Sequence, residues 1–218
     1  MSPRPKGRSV RSDLRERILE AAWRQIAREG APALALRAIA RDLGIAAPSI
    51  YNHFSDRDAL VTALILEAYE SLGSHQLAAG EGLDPLDCKS RLFTIGRAYW
   101  DWALEYPQRY HLIFGTPIPG YVAPLESIAP VAARALTALN SVVEDASKAG
   151  KLKVEGLLDS SADQGSSEKI YLTAALLIWT RVHGLVSIEI SKNFPPYSPG
   201  GEKLYQLEMN LVYDQFFK

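Results

Sequence analysis

LRAIARDLGIAAPSIYNHF, residues 36–54, holds two short apolar stripes separated by a glycine. Leu36, Ile39, Ala40 and Leu43 recur at intervals of three and four, so a helix over 36–43 buries one face. Gly44 stops it, because glycine accepts the left-handed conformation that closes many helices, and Ile45 then turns back toward a small core. A second helix is predicted from Ala46 to His53. Its anchors Ile50 and Phe54 are again four apart, while Ala47, Pro48, Ser49, Tyr51, Asn52 and His53 fall largely on the other face. Two helices joined by a short glycine turn, the second showing polar and aromatic side chains outward, make a helix-turn-helix. Its second helix enters the major groove of DNA.

This stretch resembles the DNA-binding domain of TetR-family transcriptional regulators. The likeness rests on Ile39-Ala40, Gly44-Ile45 and Tyr51-Asn52-His53-Phe54, with Ser55, Arg57 and Leu60 opening the next helix, and covers roughly residues 12 to 60. Ala35 and Ala46 stand where the family usually places capping Ser or Thr, and Arg57 where lysine is usual. Farther on, IWTRVHGLVSIEI, with Trp179, His183 and Gly184, resembles the C-terminal domain of one branch of the same family. That second resemblance implies a ligand-binding and dimerisation domain.

Composition agrees with a polyanion partner at one end only. The net charge is −1 over 218 residues, yet residues 1–58 hold eleven Lys/Arg against seven Asp/Glu. The basic excess is therefore N-terminal and the body mildly acidic. Cys88 is the only cysteine, so no internal disulfide forms, in keeping with a reducing compartment. MSPRPKGRSVR, residues 1–11, carries four basic side chains and no apolar run, which excludes a secretory signal there, and no long uncharged apolar stretch suggests a membrane span. The expected location is the cytoplasm.

The expected fold is all-α: a three-helix helix-turn-helix domain followed by a larger helical bundle, about nine helices in all. The expected parts are a flexible basic arm over 1–11, the DNA-binding domain over 12–58 and a ligand-binding and dimerisation domain over 59–218. Ser12 caps the first helix, which turns Leu14, Ile18, Ala22 and Ile26 inward and ends at Gly30. Ser55 with Asp58 forms a capping box for a fourth helix reaching about Leu77. A long helix then runs to about Tyr106 and is ended by Pro107, a short one covers 108–114, one helix fills 125–149, and two more cover 168–191 and 202–216. Residues 156–167 read as a polar loop.

Three sets of side chains follow. Ala47, Pro48, Ser49, Asn52 and Arg37 are the expected base-edge contacts, since Asn pairs with adenine, Arg with guanine, and Ala or Pro meets a thymine methyl. Tyr51, His53 and Arg57 are expected on phosphates. Phe93, Tyr99, Trp100, Tyr110, Phe114, Trp179 and His183 make the middle of the chain aromatic and are the candidates for a small-molecule pocket. Leu176, Ile178, Val182, Leu185, Val186, Tyr205, Leu211, Val212 and Phe216 are the candidates for a twofold interface built from the last two helices. No metal, cofactor or catalytic role is expected: the chain has no Gly-rich phosphate loop, HExxH, CxxC or G-x-S-x-G. The expected protein is a ligand-responsive repressor of a palindromic operator. A helical enzyme or carrier with a vestigial DNA motif is the competing expectation.

Overall fold

The computed structural model describes residues 10–153 and 167–218. Among these residues the chain is helical, with a single isolated antiparallel bridge between Leu152 and Phe217. The helices are α1 (Val10–Glu29), α2 (Leu36–Leu43), α3 (Ala47–Tyr51), α4 (Arg57–Ala79), α5 (Cys88–Glu105), α6 (Pro107–Phe114), α7 (Leu125–Ala135), α8 (Thr137–Lys148), α9 (Ser167–Ile190) and α10 (Gly201–Phe216).

Several local expectations are corrected. Val10 and Arg11 are already helical, so Ser12 lies inside α1 and does not cap it, and the arm expected before them lies outside the described residues. The cap of α4 is Asp56, whose carboxylate accepts the Ala59 N–H at 2.8 Å and the Ser55 hydroxyl at 2.9 Å. These bonds hold the Asp56 carboxyl below the usual carboxylate range. A carboxylate one residue closer to the helix thus displaces Ser55 as the capping group. Pro107 opens α6, where its missing N–H costs no helical bond. The single helix expected over 125–149 is two, interrupted at Leu136, whose ψ of 0° leaves the helical well. The interruption follows Ala135, whose backbone lies against Gly73 of α4; a Cβ on Gly73 would sit 3.1 Å from the Ala135 Cα. Ten α-helices result among the described residues, in place of about nine. The loop expected over 156–167 lies almost wholly outside the described residues.

The chain divides into two compact units. The first contains the residues through Ala68 together with Gln108–Ala129, and the second contains Tyr69–Pro107 and Pro130–Lys218. In the first, Ile18, Ala22 and Ile26 of α1 meet the buried faces of α2 and α3, Leu36, Ile39 and Ile50, with Phe54, Leu60 and Leu64 completing the core. Each set follows the spacing of a helical stripe. Glu67 accepts both the Trp23 indole N–H at 3.2 Å and Arg109 at 3.0 Å, joining α1, α4 and α6 at one carboxylate.

In the second unit, α5 is central. Leu92, Ile95, Tyr99, Trp100, Trp102 and Ala103 are buried along it, and the Trp102 indole donates to Ser71 Oγ at 3.0 Å. Asp87 caps its start by accepting the Ser90 N–H at 2.9 Å. Arg91 ties that end to α8, pairing with Asp145 at 2.7 Å and reaching Ser141 at 3.2 Å. Helices α8, α9 and α10 pack in sequence beside it.

Candidate nucleic-acid interface

Gly44 adopts φ 65° and ψ 30°, the left-handed region, and its N–H and that of Ile45 close α2 onto the Arg41 and Ala40 carbonyls at 3.2 and 3.0 Å. A side chain at position 44 would be strained there. Neither Ala35 nor Ala46 offers a side-chain cap to the helix it precedes. The connection before α2 is instead held from both sides. Buried Gln25 accepts the Ala35 N–H at 3.3 Å and donates to the Ala33 carbonyl at 3.2 Å. Arg57 donates through Nε to the Leu34 carbonyl at 3.1 Å and through Nη2 to those of Ala31 and Pro32 at 3.3 and 3.2 Å.

Pro48 stands at the second position of the short α3, where no amide bond is required, and so marks where the helix starts. The amides of His53 and Phe54 return to the Ile50 carbonyl at 2.8 and 3.0 Å and carry the turn onward. Ile50 and Phe54 are buried, as expected of anchors four residues apart. Their burial turns Pro48, Tyr51 and Asn52 outward, leaves Ala47, Ser49 and His53 half-buried, and leaves Arg37 exposed on α2. Arg57 is half-buried and spends its guanidinium on backbone carbonyls, an intramolecular duty that its place in the motif did not reveal. Gln25 was not singled out from sequence. The available signal was a lone amide on the inward stripe of α1.

The aromatic candidates separate. Tyr110 and Phe114 belong to the first unit, where their rings pack 5.2 Å apart. Tyr99, Trp100, Trp179, His183 and Phe93 belong to the second. Tyr99 Oη and His183 Nδ1 share a hydrogen bond of 2.7 Å, and the imidazole stacks on Trp179 at 4.7 Å. Trp100 turns away and packs on Tyr205 at 4.8 Å, and Lys89 lies over the Phe93 ring at 5.9 Å. Tyr99 and Trp179 line a hollow of about 20 Å³ together with residues not singled out before, Gln76, Gly96 and Met209 among them. A hollow of that size holds little more than one water molecule.

Burial pushes the His183 imidazole below its ordinary pKa of 6.5. The unfolded chain therefore takes up the proton first as pH falls below 6.5, and stability present above that pH is lost on acidification. Thermal midpoints at pH 7 and pH 5.5 are expected to differ by less in His183→Gln than in the unaltered protein. An equal acid loss in both would assign it to other groups.

The interface candidates also divide. Ile178, Val182, Val186, Tyr205, Val212 and Phe216 are core residues of the single chain. Leu176 and Leu211 remain 53% and 57% exposed. With Leu172, Thr180, Gly184 and Ile188, Leu176 forms a row at four-residue spacing on α9, and a Cβ on Gly184 would meet nothing within 4 Å. By length and composition alone α9 is apolar enough to cross a membrane, and 28% of the relevant window is buried within the chain.

Residues 18–64 match a family model described as bacterial regulatory proteins, tetR family, and residues 92–212 match one described as tetracyclin repressor-like, C-terminal domain. The HTH-type transcriptional regulator Rv1816 of Mycobacterium tuberculosis (strain ATCC 25618 / H37Rv) is 33% identical over 199 residues, 85% of this chain and 84% of that protein. The crystal structure of the regulatory protein SCO4313 is 35% identical and superposes with a TM-score of 0.76 over 98% of this chain and 100% of its own. A complex of SmeT with triclosan shares the fold at a TM-score of 0.65 and 14% identity, over 94% and 92% of the two chains.

Proposed function

Because the chain belongs to the TetR family of transcriptional regulators, we propose that it is a homodimeric repressor that sits on a palindromic operator in the cytoplasm and leaves it when a small molecule binds. The observation that carries this reading is the outward face of α3, held rigid by the buried pair Ile50 and Phe54. Ala47, Pro48, Ser49 and Asn52 read base edges in the major groove, with Arg37 reaching a guanine beside them. Tyr51 and His53 hold phosphates, and Arg57 sets the pose of the motif through the carbonyls it binds.

One such helix reads only a few base pairs. Twofold pairing of α9 and α10 through the Leu176 row and Leu211 supplies the second copy at the next groove. The effector acts in the second unit, and α4, which contributes to both units, carries the change. A coupling of about 1–3 kcal/mol alters operator affinity roughly 5- to 150-fold.

Selection of duplexes from a random pool by the purified protein tests the reading. The expected product is a palindrome whose binding weakens steeply with salt, as phosphate neutralisation demands. Selected sequences without symmetry, or an affinity indifferent to salt, would overturn it and favour the helical carrier.

A further inference from the structure

The hollow between α5, α9 and α10 has a chemical character that narrows what can occupy it. Its walls include Gln76, Gly96, Tyr99, Trp179 and Met209, and none of the lining residues carries a formal charge at neutral pH. Gln76 is only 6% exposed, yet the one side-chain hydrogen bond it makes among the described residues runs from Nε2 to the Ile95 carbonyl at a long 3.4 Å. An amide has two donor hydrogens and an acceptor oxygen, and buried amides are ordinarily saturated. A second under-used group lies close by. The Tyr205 hydroxyl is buried without a hydrogen-bond partner among the described residues and stands 2.8 Å from where a Cβ on Gly96 would be. The Met209 methyl and sulfur stand 2.9 and 3.2 Å from the same point.

We propose that this hollow seats a neutral, mostly apolar aromatic molecule bearing one hydrogen-bonding group, that the Gln76 amide reads that group, and that the molecule gains room by displacing Met209. The proposal rests on the ligand-responsive reading above. An ionised carboxylate or ammonium would be buried here with no compensating charge, which is strongly unfavourable. The Tyr99 and Trp179 walls suit a flat ring. At about 20 Å³ the hollow does not admit that ring unless a wall yields. Met209, unbranched and with several rotatable bonds, is the wall that yields most readily. Because the guest and the present position of the Met209 side chain exclude one another, binding selects a different packing of α10 on α5 at that residue.

Calorimetric titration of the full-length protein with phenol, toluene and benzoate at pH 7 tests this, beside the variants Gln76→Leu and Met209→Ala. Phenol is expected to bind saturably and benzoate not at all. Gln76→Leu is expected to weaken phenol about tenfold, the value of one hydrogen bond, while toluene is unaffected. Met209→Ala is expected to tighten both phenol and toluene by enlarging the space. Benzoate binding as well as phenol, phenol indifferent to Gln76→Leu, or no saturable phenol site in either the unaltered protein or Met209→Ala would each overturn the proposal. Operator affinity followed in parallel separates the two readings. Release by an ionised compound without a phenol site removes this ligand class alone, whereas a phenol site that leaves operator affinity unchanged upholds this ligand class and removes the ligand-responsive reading alone.

Discussion

Alanine at both Tyr51 and Asn52 is expected to lower operator affinity about 100-fold or more while leaving the thermal midpoint nearly unmoved. Both side chains are exposed on the turn that Ile50 and Phe54 anchor, and neither makes a side-chain hydrogen bond among the described residues. Their removal therefore opens no cavity and strands no buried partner, and substitutions of that kind usually stay within about 0.5 kcal/mol of neutral. On DNA the balance is different. A bidentate amide–adenine contact is worth about 1–3 kcal/mol of discrimination, and a dimer makes it twice. Each 1.4 kcal/mol is about tenfold, so even the lower end of that range, with the loss of the phosphate contact proposed for Tyr51, reaches the stated loss. Gel-shift titration at fixed salt reads the effect, with thermal melting as the control for folding. Unchanged affinity would move the DNA-reading surface off α3.

Glutamate at Leu176 and Leu211 together is expected to convert the proposed dimer to a monomer. Both leucines are more than half exposed on the single chain, and they belong to the apolar faces of α9 and α10 that the chain itself leaves uncovered. Two carboxylates per protomer buried in a twofold contact would meet their own symmetry mates, adding like-charge repulsion to desolvation. Operator affinity falls with the assembly. A second reading head already tethered to the duplex gains an effective concentration that raises avidity about 10²- to 10⁴-fold, and that gain is lost in the monomer. Sedimentation velocity reads the mass and circular dichroism checks that the helices persist. A variant that still sediments as a dimer would place the interface elsewhere.

The contrast between Gln25 and Ile50 shows why some of this molecule was legible in its sequence and some was not. Ile50 and Phe54 declare themselves by a four-residue interval and two apolar side chains, and Gly44 by a backbone conformation that other residues resist. Such local rules also placed α2 at its observed limits, Leu36–Leu43. Gln25 and Arg57 obey no such rule. They brace the same turn from helices ten and more than twenty residues away, so their role depends on where two elements meet in space. The single helix expected over 125–149 is broken at Leu136, beside Ala135, whose close approach to Gly73 joins residues remote in sequence.

From the order of residues alone came the all-helical architecture and the helix-turn-helix with its outward Tyr51 and Asn52, because periodicity and turn chemistry act over a few neighbouring positions, while the family came from the resemblance that this motif carries. Tertiary packing alone decided which aromatic side chains touch one another. Tyr99, Trp179 and His183 come together while Tyr110 and Phe114 join the other unit, although all five share the same apolar spacing. It likewise decided that Val186, Val212 and Phe216 belong to the core and Leu176 and Leu211 to the surface. Helical spacing says that a residue lies on a face. Which neighbour covers that face is settled only when distant helices compete to bury it.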